Sequence, residues 1–88
     1  MRYVELKEAI DILSIPPLST YSEIKQMYKQ EVKINHPDRN ANPKKSIEDI
    51  NGAYEVIKEY VEDFRFFFTK EEFDKQYPEE SYGRQFRA

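Results

Sequence analysis

His36-Pro37-Asp38 carries the only histidine of the chain, two residues from a carboxylate, so imidazole and carboxylate chemistry meet at one place. Such a pair can act as a general base with an orienting acid, or it can form a polar tip that another protein recognises. Base catalysis also needs a nucleophile or a metal and a concave pocket, and there is no cysteine, no second histidine and no glycine-rich loop to supply them. The enzyme reading is therefore set aside, and no catalytic, cofactor or metal residues are assigned. Proline disfavours the helical region for the residue before it, so the chain must leave any helix at Asn35-His36 and the tripeptide must be a loop. Turns favour Asn, Pro and Asp for local reasons, so the flanks have to decide its role.

Those flanks belong to one small domain. At 88 residues, 39% hydrophobic and 35% charged, the chain has room for a single core. Seven Tyr and six Phe supply the bulk that so short a chain needs. Without cysteine, disulfides and thiolate zinc sites are excluded. No apolar run approaches the ~20 residues of a membrane span, and the N-terminus lacks the apolar core of a signal peptide, so the expected compartment is the cytoplasm.

The net charge of −3 hides a polarity. Thr20 to Ile47 holds six basic and three acidic residues, whereas Glu55 to Glu80 holds four basic and nine acidic ones. Opposite signs on successive segments point to two faces with different partners. A pI near 5.2 and a single basic row argue against a nucleic-acid binder.

Along the chain, Leu6, Ala9, Ile10 and Leu13 form one apolar stripe and predict a helix over Glu5 to Ser14, stopped by Pro16-Pro17. Thr20 with Glu23 is a capping box that starts a second helix, expected to end near Asn35. Its apolar side holds Tyr21, Ile24, Met27, Tyr28, Val32 and Ile34, and its other side sets Lys25, Lys29 and Lys33 on a single line. Glu31 and Asn35 break the apolar side. Asn35 can turn its amide onto free carbonyls at the helix end. Glu31 needs a basic partner, for which Arg65 is the candidate within the next helical stripe, or a path to solvent. If it lacks a partner, Glu31→Leu should stabilise the protein by about 1 kcal/mol.

Asn42-Pro43 reads as the start of a third helix, whose stripe of Ile47, Ile50, Ala53, Tyr54, Ile57, Tyr60, Val61, Phe64 and Phe68 extends it toward Phe66. Thr69 with Glu72 opens a short fourth helix that ends before Tyr77-Pro78. No strand alternation occurs, so the fold class is all-α.

Taken together, Glu23-Ile24-Lys25 with Tyr28-Lys29, then His36-Pro37-Asp38-Arg39-Asn40, then Ile50-Asn51-Gly52-Ala53-Tyr54-Glu55-Val56-Ile57 resembles the J-domain of DnaJ-type co-chaperones. The likeness runs from Glu8 to Ile57 without a gap. It implies an antiparallel hairpin of the second and third helices with the tripeptide at its tip. It also implies a partner, a DnaK-type 70-kDa heat-shock chaperone whose ATP hydrolysis the domain stimulates. On this resemblance His36, Pro37 and Asp38 are the signature residues, Lys25, Tyr28, Lys29 and Lys33 the chaperone-facing surface, and Arg39 and Asn40 the residues that follow the signature.

This sequence departs from the family pattern where Gln30 replaces a basic residue, Glu31 a leucine and Asn35 an aromatic. The family's Gln-Lys-Arg-Ala-Ala motif is missing from Val61 to Phe68. There is no glycine- and phenylalanine-rich linker, no Cys-x-x-Cys zinc region and no client-binding β domain, so a minimal J protein is expected, with residues 1–76 as its domain and 77–88 as a loose tail. The competing reading is a J-like adaptor that docks without stimulating. The aromatic and acidic segment from Val61 to Tyr82 is either extra core or the site of a second protein partner.

Overall fold

A computed structural model of the chain describes residues 1–79. Among these residues it contains four helices and no strand: α1 (Tyr3–Leu13), α2 (Tyr21–Asn35), α3 (Ile47–Glu62) and α4 (Lys70–Gln76). Residues 80–88 of the expected tail, with Tyr82 of the aromatic segment, lie outside the described residues. None of the helices is long and apolar enough to cross a membrane.

Each helix begins where a side chain answers the free N–H groups of its first turn. Thr20 accepts from the Glu23 amide, Ser46 from the Asp49 amide and Thr69 from the Glu72 amide. α1 starts two residues earlier than its stripe suggested, with the Glu5 carboxylate reaching back to the Arg2 amide. It ends on Ser14, which takes a left-handed conformation (φ 54°) and returns its N–H to the last turn.

The third helix differs from expectation at both ends. It begins after Ser46 and not at Asn42-Pro43, because the chain is still tied at Lys45, whose backbone N–H is held by the Asn35 side chain. It ends at Glu62, short of Phe66, and Phe64 and Phe68 therefore do not continue the inward stripe. Phe68 is 93% exposed and Phe64 about half exposed. Ile34, assigned to the apolar side of α2, is exposed as well.

The core is small. Ala9 and Leu13 from α1, Ile24 from α2, and Ile50, Ala53 and Ile57 from α3 are its buried apolar residues, with Leu13 and Ile50 fully enclosed. α3 is the central element, packed more extensively on α1 than on α2. The α2–α3 pairing is antiparallel, as the contacts show: Asn35 meets Lys45, Tyr28 meets Asn51, and Tyr21 meets Tyr54. Much of this pairing is aromatic. The Tyr28 and Tyr54 rings stack with centroids 4.3 Å apart, and the Tyr21 and Tyr54 hydroxyls lie 3.3 Å apart.

That hydroxyl pair holds the Tyr54 proton. The hydrogen bond to Tyr21, then burial, then the neighbouring negative charge of Tyr21 and Glu55 push its pKa up from 10.0 to about 12. The folded phenol keeps its proton to higher pH than the unfolded one, so the stabilisation is complete below the unfolded value of 10.0 and is lost as pH rises through about 12. Spectrophotometric titration should show a phenol step near pH 12 that disappears in Tyr54→Phe.

No residue beyond Glu62 is buried among those described, and α4 makes no backbone-level contact with α1, α2 or α3. The C-terminal aromatics are thus not an enlarged core. A chain ending at Asp63 should keep the helical signal of the first three helices and lose less than about 1 kcal/mol in a urea melt.

Candidate functional site

His36 closes α2 in an extended conformation (φ −69°, ψ 130°), as a residue before proline must. The chain then folds back, and the amides of Arg39 and Asn40 both donate to the His36 carbonyl at 3.0 Å. This tight turn points the His36 and Asp38 side chains outward; they are 46% and 88% exposed. His36 Nδ1 lies 3.3 Å from the Asp38 amide and 3.6 Å from the Asp38 carboxylate. A neutral ring accepts the amide hydrogen, whereas a protonated ring has no lone pair there and turns to the carboxylate. Either way the His36 ring stays against Asp38 at the tip. Pro37 and Arg39 are exposed beside them.

The tip is anchored from below. Asn40 donates from Nδ2 to the Ile34 carbonyl at 3.3 Å, one of the unpaired acceptors at the end of α2, and its Oδ1 accepts the Asn42 amide at 3.0 Å. At the loop base, Asn35 is 97% buried and spends its amide fully: Nδ2 donates to the Glu31 carbonyl at 2.9 Å, and Oδ1 accepts the Lys45 amide at 3.1 Å. The Lys45 ammonium completes the arrangement. It lies 3.1 Å from the Glu31 carboxylate and 2.6 Å from the Ile12 carbonyl of α1.

Lys25, Lys29 and Lys33 form the expected exposed row along α2, and no carboxylate pairs with any of them among the described residues. Lys25 lies 4.5 Å over the Tyr21 ring, which orients it without neutralising it. Tyr28 stands apart from this row. Its ring is half-buried against Tyr54 and its hydroxyl donates to Asn51 Oδ1, so it ties α2 to α3 and offers only an edge to a partner.

The sequence matches the family model described as DnaJ domain over residues 8–62. The chain belongs to the DnaJ-domain family. It is 40% identical over 55 residues to the chaperone protein DnaJ of Dictyoglomus thermophilum, covering 60% of this chain and 14% of that protein. It is 40% identical over 47 residues to human DnaJ homolog subfamily A member 2, covering 53% of this chain and 11% of that protein. With the chaperone protein DnaJ of Thermotoga petrophila it shares 41% over 59 residues, 62% of this chain and 16% of the other. The match thus spans less than a fifth of the length of these relatives, and it is confined to the J-domain. No solved structure matches the chain.

Within this J-domain the residue that sequence reasoning missed is Lys45. One signal pointed to it: Glu31 sits among apolar positions and demanded a cation. Arg65 is exposed past the end of α3, and Lys45 of the loop supplies the cation instead. Glu31 and Lys45 keep 12% and 30% of their side-chain surface, so the pair is shielded on one side and wet on the other. Removing the carboxylate leaves an ammonium near the core with one acceptor fewer. Glu31→Leu should therefore destabilise the domain, by about 1–3 kcal/mol in denaturant melts, reversing the sign expected for an unpaired carboxylate.

Proposed function

We propose that this J-domain binds a DnaK-type 70-kDa heat-shock chaperone and stimulates its ATP hydrolysis. His36, Pro37 and Asp38 form the contacting tip, Arg39 and Asn40 shape it, and Lys25, Lys29 and Lys33 steer an acidic surface toward it, with the edge of Tyr28 alongside. The observation that carries this reading is the pairing of an exposed, hydrogen-bonded His–Pro–Asp turn with a row of uncompensated lysines on the helix that leads into it. A preordered turn costs little entropy to bind, and uncompensated charge accelerates encounter.

The exposed Phe66, Phe67 and Phe68 rings support a second protein partner on the C-terminal segment, separate from the basic row. A chain ending at Asp63 that still stimulates the chaperone but loses a partner recovered by pull-down with the full chain would assign that segment to such a partner; one that keeps stimulation and every partner would overturn this reading.

Single-turnover ATP hydrolysis by a DnaK-type chaperone tests the main proposal. His36→Gln and Asp38→Asn should each abolish stimulation with circular dichroism unchanged, since both side chains project from the tip. Lys25→Glu and Lys29→Glu should slow association, and wild-type affinity should fall as salt rises from low to physiological strength. A wild-type domain that binds the chaperone without raising hydrolysis would instead establish the adaptor reading.

A further inference from the structure

The loop 36–44 has its two ends joined at one point. Asn35, the last residue of α2, holds the amide of Lys45, the residue before the cap of α3. Closing the loop there shortens the segment that must find its conformation, but a single hydrogen bond from the Lys45 amide to the Asn35 side chain leaves the base free to hinge. The Lys45 side chain removes that freedom. Its ammonium reaches the Glu31 carboxylate on α2 and the Ile12 carbonyl on α1, so one residue ties three segments together.

The Ile12 contact is the telling one. α1 has no basic residue in its last turn, and its final carbonyls need donors. Lys45 supplies a cation to that helix end from 33 residues away. The same ammonium compensates the Glu31 carboxylate, which is itself bonded by Asn35 Nδ2 at 3.2 Å. Every member of the cluster has a partner, and no buried side-chain polar atom among the described residues lacks one. Lys44, its neighbour, is exposed and takes no part in the cluster.

We propose that Lys45 is a positioning residue for the His36–Pro37–Asp38 tip: by clamping the loop base to the end of α1, it sets the tip in its binding-competent orientation. This rests on the chaperone-binding reading above. Without the clamp the competent orientation becomes a fraction of the population, and the apparent affinity for the chaperone falls by that fraction.

The test compares Lys45→Met, which keeps the length and removes the charge, with Lys45→Arg, which restores a donor cation, and Lys44→Met as the neighbouring control. Two readouts are taken on the full chain: backbone 15N order parameters of residues 36–44, and the J-domain concentration giving half-maximal ATPase stimulation. For Lys45→Met the loop order parameters should drop from about 0.85 toward 0.6 while those of α1 and α3 hold. The half-maximal concentration should rise roughly five- to tenfold, with the maximum regained at saturation. Lys45→Arg should return both toward wild type, and Lys44→Met should change neither.

Glu31→Gln provides a milder second variant should Lys45→Met unfold, and a smaller loss of loop order is expected from it. Unchanged loop order in these variants, a loss of order shared equally by α1 and α3, or a mobile loop with unchanged half-maximal concentration would each overturn the proposal. If the wild-type domain fails to stimulate any DnaK-type ATPase, the proposed function falls, and the order parameters still judge the clamp by themselves.

Discussion

Among the described residues, a core of six buried apolar side chains has to hold three helices in register, and that constraint shapes the rest of the molecule. At ~1.5–3 kcal/mol per large buried side chain, less the entropy of ordering the chain, so few residues leave a narrow margin. The fold makes up the difference at its edges. Stacked phenols join α2 to α3, and the polar cluster around Lys45 joins α1, α2 and the loop. Both are directional interactions. They specify how the helices meet, which apolar contact alone does not.

α2 and the end of α3 carry opposite charge. The lysine row of α2 carries no compensating acid, while the last turns of α3 gather Glu55, Glu59, Glu62 and Asp63, with Lys58 paired to Glu62 at 3.9 Å. Beyond α3 the aromatic side chains follow a different logic. Phe64 meets Tyr60 and Phe66 edge-on, Phe66 stacks on Phe68, and Phe73 lies against Tyr77, yet all remain substantially exposed. These rings satisfy one another locally without adding to the core.

The departures from the family pattern become intelligible together. A leucine at position 31 and an aromatic at 35 would enlarge the core at the loop base. Here Glu31 and Asn35 replace that apolar contact with a polar one, and Lys45 completes it. Breaking such a cluster at one member costs more than the cluster contributes as a whole, because the remaining groups lose partners near the core. The substitutions therefore act as a set.

Local chemistry determined much of this protein. Apolar spacing located the first three helices, threonine caps placed the starts of α2 and α4, and Pro37 required the turn that exposes His36 and Asp38, because each effect acts within a few residues. The lysine row was legible for the same reason, as a periodicity of one helix. Tertiary structure decided the rest. Asn42-Pro43 carries a sound local start signal, yet α3 waits until Ser46 because Lys45 is held by residues 10 and 14 positions earlier on α2. The stripe through Phe64 and Phe68 is periodic, yet the helix stops at Glu62, where burial against α1 and α2 has ended. Periodicity reports which face of a helix is apolar; it carries no record of where another helix stops covering that face, or which distant side chain arrives to neutralise a buried charge.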